Sequence, residues 1–262
     1  MDASELAYAS EATENFRWIS SLLATKSNFI LTSAHRVDDE NHSLISDIGE
    51  YAELAHGHVS PSFVFKNLQE LCRPDFPLEG YDTLKNDGAH LVKEFTGSVA
   101  KVQGYAAFRP RVHQLVVAFS GTSSFAQTLK DLQSWRTPYP LDRRDSTVHC
   151  GFWKMYQGVR SHALDALRVG FQEYGCAIQQ VVLTGHSMGG AMCYFLALDL
   201  MTEIKAVDVL RGIALNITIF GSPRVGNKGL ANYWQTSIDR YRSRFGEEKF
   251  REYSVKGYND GM

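Results

Sequence analysis

The chain has 262 residues, enough for one large domain or two small ones, and α/β folds of this size often stay undivided. With 44% hydrophobic and 21% charged residues it can fill a core and stay hydrated. A formal net charge of −2 and the lack of a basic block argue against nucleic acid or a strongly acidic partner.

The first residues, "MDASELAYASEATENFRWISSLLATKSN", lack a positive n-region, and Arg17 and several serines interrupt their apolar stretch. They do not read as a secretory signal. No run of about 18 apolar residues is present, so no transmembrane segment is expected. These features favour a cytoplasmic protein over a secreted one. Cys72, Cys150, Cys176 and Cys193 are widely spread without a Cys-x-x-Cys pair. That spacing disfavours structural zinc and thioredoxin-like chemistry and leaves buried free thiols, or one disulfide in an exported protein.

Phe16, Ile19 and Leu23 fall at helical spacing, as do Ile45, Ile48, Tyr51 and Ala55. The polar stretch "HRVDDENHS" between them predicts a loop, and "VSPS" from Val59 marks the end of the second helix. Residues 1–44 thus read as a helical extension and 45–262 as the main domain. "SVAKVQGYAAF" and "QLVVAFSG" predict two strands joined by "RPRVH". Met155, Val159, Ala163, Leu167 and Tyr174 mark a long amphipathic helix starting near Lys154, and Ile178–Leu183 a short apolar strand. A helix from Met188 to about Ile204 is apolar on nearly all sides, which predicts deep burial. A strand at Ile213–Phe220, a helix through Leu230, Tyr233, Trp234, Ile238 and Tyr241, and a last strand in "FREYSVKG" follow. Such alternation predicts an α/β fold: a mainly parallel sheet with helices on both faces.

Gly185-His186-Ser187-Met188-Gly189 fits Gly-x-Ser-x-Gly, with a strand before it and a helix after. This pattern holds a nucleophilic serine on a strained turn, while the glycines let strand and helix approach closely. The alternative is an ordinary turn serine. The helix that opens at Met188 aims free N–H groups and a partial positive charge at any developing anion. Acyl transfer needs two such donors. The Met188 N–H is one, and Thr122, after the strand and glycine turn of "VVAFSGTSS", offers the other, though this loop also reads as plain turn chemistry.

Taken together, "YAELAHG", "GYAAF", "LVVAFSGT", "DLQSW", "VHCGF", "LTGHSMGGAMCYFLALDL", "FGSPRVGNKGLANY" and "YSVKGYNDG" resemble the fungal class 3 lipases, in that family's order, from about Ile45 onward. That family holds triacylglycerol lipases and some feruloyl esterases within the α/β-hydrolase fold. The resemblance implies a Ser187 nucleophile, an oxyanion hole at Thr122 and Met188, and a triad aspartate at Asp260 in "KGYND". Asp260 also follows the last predicted strand, where open α/β sheets bind ligands, although an Asp in "NDG" is by default a turn former. The resemblance places a lid in "SFAQTLKDLQSW". There Phe125, Leu129 and Leu132 form an i, i+4, i+7 stripe that an ordinary surface helix would also show.

Two departures stand out. Ser120 occupies the place where the family usually has arginine before the loop glycine. The family's order of serine, acid and histidine also breaks off, because no histidine follows His186. Of the others, His149 reads as structural, His162 lies within a helix, His35, His42, His56 and His58 fall in the N-terminal region, and His90 and His113 lie in loops. The expectation is an α/β-hydrolase lacking its C-terminal part, with the histidine supplied by sequence beyond the chain. The implied activity is hydrolysis of acylglycerol esters at a lipid–water interface, without cofactor or metal. An esterase for polar or aromatic esters, or an inactive lipase-like protein, are the alternatives.

Overall fold

The computed structural model describes residues 37–57, 59–73, 81–121, 135–202 and 213–256. Its helices are α1 (Asp39–His56), α2 (Pro61–Leu71), α3 (Asp82–Asn86), α4 (Cys150–Tyr174), α5 (Met188–Thr202) and α6 (Lys228–Phe245). Its strands are β1 (His90–Thr96), β2 (Gln103–Arg109), β3 (Gln114–Phe119), β4 (Arg136–Tyr139), β5 (Asp142–His149), β6 (Gln180–His186), β7 (Ala214–Phe220) and β8 (Phe250–Val255). A six-stranded sheet runs in the order β1-β2-β3-β6-β7-β8. β3, β6, β7 and β8 are parallel to one another, and β1–β2–β3 form an antiparallel meander at one side. The result is the mainly parallel sheet, covered on both faces, that the alternation predicted.

Side chains alternate between the faces, as strand pleating requires. Leu115, Val117 and Phe119 of β3 join Val181 and Leu183 of β6 in a core beneath α4, α5 and α6. Val116, Ala118 and Val182 point the other way, into a second core under α1, α2 and α3. Helix α5 is buried along almost its whole length, including Met188, Ala191, Met192, Phe195, Leu196 and Leu200. An all-apolar helix of this kind needs neighbours on every side. It lies against α4, α6 and the sheet.

Several boundaries differ from expectation for identifiable reasons. α1 starts at Asp39, inside the stretch read as a loop, because the Asp38 carboxylate accepts from the Asn41 N–H at 2.8 Å and Asp39 and Glu40 suit the positive helix end. It therefore runs through the boundary expected at 44/45. α2 was not expected, yet Ser60 caps it and Pro61 opens it. β2 begins only at Gln103, since Ala100 and Lys101 turn the chain with φ of 51° and 46°. α4 starts at Cys150 because the His149 ring, the predicted structural histidine, accepts from the Phe152 N–H at 3.5 Å. The β4–β5 hairpin carries "DRRDSTVH", which has no apolar alternation to betray a strand. All four cysteines are free, but only Cys193 is buried; Cys72 and Cys150 are partly exposed and Cys176 is exposed. Among the described residues, no helix is long and apolar enough to cross a membrane.

Candidate active site

β6 ends at His186, and α5 begins at Met188. Only Ser187 lies between them, and it takes the left-handed conformation with φ 53°. A residue with a Cβ adopts that region at a cost of about 1–3 kcal/mol, sustained by the surrounding structure. Two backbone bonds hold the bend. The Ser187 N–H donates to the Phe220 carbonyl at 2.8 Å, and the Gly190 N–H donates to the Ser187 carbonyl at 3.0 Å. Ser187 is 5% exposed, and its hydroxyl makes no hydrogen bond to another described residue. The Met188 N–H stands at the first helical position, where no intrahelical acceptor exists.

The flanking glycines are required by backbone contact rather than by their own dihedral angles. A Cβ on Gly185 would lie 2.7 Å from the Gly189 carbonyl carbon and 2.8 Å from the Phe119 carbonyl oxygen. One on Gly189 would lie 2.3 Å from that same oxygen. The elbow thus presses onto the end of β3, so the strand leading into the expected oxyanion loop touches the nucleophile turn through bare backbone. At that junction Ser120 is locked to β2: its N–H donates to the Gln103 carbonyl at 2.9 Å, and its Oγ accepts from the Gln103 N–H at 3.2 Å. The serine that replaces the family's arginine therefore anchors the loop by hydrogen bonds.

Gly121 follows, between the His186 carbonyl and the exposed His56 ring. A Cβ there would fall 2.9 Å from the His186 carbonyl oxygen and 3.0 Å from His56 Nδ1. The two imidazoles meet edge to face, with centroids 5.6 Å apart and planes at 64°. His56 is the last residue of α1. Sequence reasoning set it aside with the N-terminal histidines. The usable signal was its place as the final residue of an amphipathic helix in "YAELAHG". Thr122, Phe125, Leu129, Leu132 and Asp260 lie outside the described residues. Beyond the elbow, Val255 of β8 pairs with Phe220 and accepts from the Gly221 N–H at 2.8 Å. The strand that leads towards Asp260 therefore ends two strands over from the Ser187 turn, with β7 between them.

The "GSPRVGN" stretch has a structural task. Asn227 caps α6 by accepting from the Leu230 N–H at 3.0 Å. The same side chain accepts from the Thr147 N–H at 2.9 Å and donates to the Asp145 carbonyl at 2.8 Å, which straps the β5 hairpin to α6. A cleft of 460 Å³ opens beside this strap; Ser222, Pro223, Tyr194, Trp234 and Glu252 contribute to its walls. It borders the elbow through Ser222, which packs against Gly190, but its lining does not include Ser187. Among the described residues, no group of three or more His, Cys, Asp or Glu side chains is placed to hold a metal ion.

Comparison with known proteins agrees with this geometry. The family model for Lipase (class 3) matches residues 116–248. A secreted mono- and diacylglycerol lipase 2 of Gibberella zeae is 33% identical over 136 residues, covering 45% of this chain and 31% of that protein. A lipase of Rhizomucor miehei is 26% identical over 176 residues, covering 65% and 46%. The chain thus spans between about a third and a half of the length of these curated relatives. Among solved structures, a triacylglycerol lipase whose catalytic centre is a serine protease triad superposes with a TM-score of 0.63 at 20% identity, covering 83% of this chain and 72% of that one. The lipase of Rhizopus microsporus var. chinensis superposes with a TM-score of 0.60 at 23% identity, covering 77% and 64%. At such identities the superpositions establish the shared α/β-hydrolase fold. The family-model match extends over half of the sequence and includes the whole elbow: the chain belongs to the class 3 lipase family.

Proposed function

We propose that this chain carries the nucleophile of a serine ester hydrolase acting on acylglycerols. The observation that carries the reading is Ser187 at φ 53° on a one-residue turn, followed at once by the Met188 N–H at the first helical position. In this mechanism the Ser187 Oγ bonds to the ester carbonyl carbon. Negative charge develops on the carbonyl oxygen, and the Met188 and Thr122 N–H groups receive it. The hydroxyl proton passes to a histidine that follows Asp260 in the family's order and then to the departing alcohol as its C–O bond breaks. Water repeats the sequence on the acyl-enzyme and releases the carboxylic acid. Asp260 orients that histidine. Phe125, Leu129 and Leu132 form the inner face of a lid that opens at a lipid surface.

The acylglycerol assignment is supported by the names of the relatives and by one surface feature. Trp135, the last residue of the stretch expected to carry the lid, is 73% exposed. An indole held in water suits a protein that meets the boundary between water and lipid.

The test compares a protein that carries the histidine required after Asp260 with its Ser187→Ala variant, on a tributyrin emulsion and on a dissolved short-chain ester. The expected result is ester hydrolysis that rises sharply at the solubility limit and is lost in the variant by roughly 10⁴-fold or more. A rate that follows dissolved substrate smoothly through that limit identifies an esterase for soluble esters instead. Equal rates for parent and variant remove the hydrolase reading.

A further inference from the structure

We propose that Asp199 is a positioning residue for the nucleophile turn. Held by Tyr156 and Arg160 of α4, it sets the rotation of α5 and so the aim of the Ser187 hydroxyl and the Met188 N–H at the helix start. The inference rests on the serine hydrolase reading above and extends it to a buried charge three helical turns from the reacting atoms.

α5 is apolar on nearly all sides, so burial alone does not choose which side faces which neighbour. Gly189 and Gly190 let its first turn lie close to Phe119 and Ser222. A glycine sets how near the helix can come, but it attaches the helix to nothing. Met188, Gly189, Gly190 and Ala191 offer no strong hydrogen-bonding side chain. Asp199 is the one charged residue of α5, and it is 3% exposed. Its carboxylate accepts from the Tyr156 hydroxyl and from Arg160 Nε, the latter at 2.6 Å. Both donors project from α4, one turn apart, and the Tyr156 ring packs on Phe195 of α5 with centroids 5.4 Å apart. Burial first, and the Asp199 charge second, push the Tyr156 phenol well above its ordinary pKa, so it stays a donor.

These bonds are directional, whereas apolar contact is not. A rotation of α5 that kept its apolar surface buried would still break both of them and strand a carboxylate in the interior. A buried polar group of this kind specifies register more than it adds stability. Asp199 lies eleven residues after Met188, about three turns and 20° further on, so the two share nearly one side of α5 about 16 Å apart. Turning the helix at Asp199 therefore turns Met188. Ser187 has no slack to absorb the change, because it alone joins β6 to α5 and its N–H is bound to the Phe220 carbonyl. A second tie comes from Tyr194, whose hydroxyl donates to Glu252 of β8 at 2.8 Å. It lies five residues before Asp199, about 140° around the helix. The two ties hold α5 from different sides, and the one at Asp199 carries the buried charge.

The experiment follows phosphonylation of Ser187 by a p-nitrophenyl alkylphosphonate in a protein that carries the histidine required after Asp260. It is read as the mass of the intact protein, with Ser187→Ala as the blank. Tyr156→Phe, Arg160→Met and Asp199→Leu are combined, which replaces the cluster by apolar side chains. This triple variant should melt no lower than the parent, because well-packed apolar residues can replace a buried ion pair without loss. Its limiting labelling rate should nonetheless fall about 10-fold, less than the roughly 10²–10³-fold lost when an oxyanion donor is deleted outright. The phosphonate concentration giving half-maximal rate should not change. Asp199→Asn, which still accepts from Tyr156, should label within a factor of about three of the parent. Labelling of the folded triple variant at the parental rate overturns the inference, whatever its melting temperature, since the cluster would then serve stability alone. Asp199→Asn as slow as the triple variant also overturns it, because the effect would then lie in the charge and not in the tie. If the triple variant does not fold, Tyr156→Phe decides: it deletes one bond, should label about 3-fold more slowly, and overturns the inference if it labels like the parent. A parent that takes no label removes the hydrolase reading and this inference with it, whereas a labelled parent with indifferent variants removes the inference alone.

Discussion

The two ends of the parallel strands are built on opposite plans. At the carboxyl ends, backbone meets backbone: Gly185, Gly189 and the Phe119 carbonyl touch, and one strained serine stands free above them. At the amino ends, about 20 Å away at ~3.3 Å per residue, side chains hold the sheet. Arg109 is 3% exposed and donates through Nε to Asp87 at 2.6 Å and through a terminal nitrogen to Gln114 at 2.7 Å. Tyr51 donates to the same Asp87 carboxylate at 3.1 Å and lies under the guanidinium at 5.1 Å. Gln114 extends the chain of bonds to Gln180 of β6. The Arg109 guanidinium also lies 3.6 Å from Asp47, so several side chains share one buried charge. The chemistry sits where contacts are few and shape-dependent, and the stability where they are many and ionic. Damage at one end should therefore leave the other's readout alone.

Arg109→Met is expected to show this separation most strongly. It leaves the Asp87 carboxylate buried without its partner and should cost about 3–5 kcal/mol in urea unfolding. Adding Asp87→Leu should restore most of the loss. The rate at which a phosphonate labels Ser187 in the folded protein should not change in either variant. A labelling rate that falls in step with stability would mean the two ends are coupled. Gly189→Ala probes the other end. Its methyl group would sit 2.3 Å from the Phe119 carbonyl oxygen, so the turn must shift. Labelling should fall about 100-fold, as expected for a displacement of about 1 Å, against about 1–3 kcal/mol of overpacking in a melt.

Smaller effects are expected from the supports between the ends. Asn227→Ala removes the α6 cap and both strap bonds, and should cost about 1–2 kcal/mol by thermal unfolding. His149 gives the smallest effect. Burial first, and the nearby Arg136 second, hold its imidazole below the ordinary 6.5. A ring depressed in the folded state stays neutral there, so its contribution is complete above pH 6.5 and fades as pH falls through 6.5 towards the folded value. Protonation also ends its acceptance of the Phe152 N–H. His149→Asn, which keeps an N-cap acceptor, should flatten that part of the stability–pH curve.

What could be read from the chain alone followed local signals. The elbow was legible because Gly-x-Ser-x-Gly is contiguous and its reasons are steric within five residues. β3 and β6 were legible from the apolar runs Leu115–Phe119 and Val181–Leu183, and β7 from apolar residues interrupted by Asn216 and Thr218, since both faces of these strands are covered. β1 escaped because only Phe95 of its seven residues is buried. The β4–β5 hairpin escaped because it lies outside the main sheet and carries charge. Asn216, within an Asn-Ile-Thr glycosylation pattern, is 2% exposed in the middle of β7. The meeting of the His56 and His186 rings was legible only as far as the place of His56 at the end of α1. It joins residues far apart in the chain, and no periodicity records a contact of that kind.

The reach of α1 across the sheet has a consequence for synthesis. Its apolar side, with Ile48, Tyr51 and Leu54, has no complete surface to rest on until β6 has left the ribosome, about 130 residues later. At ~5–20 residues per second that delay is roughly 10 s. During it the nascent chain exposes an unshielded greasy stripe, and the reactive turn cannot yet exist. Maturation of the nucleophile is thus gated by the return of the earliest described helix, and a holding chaperone has its natural target there.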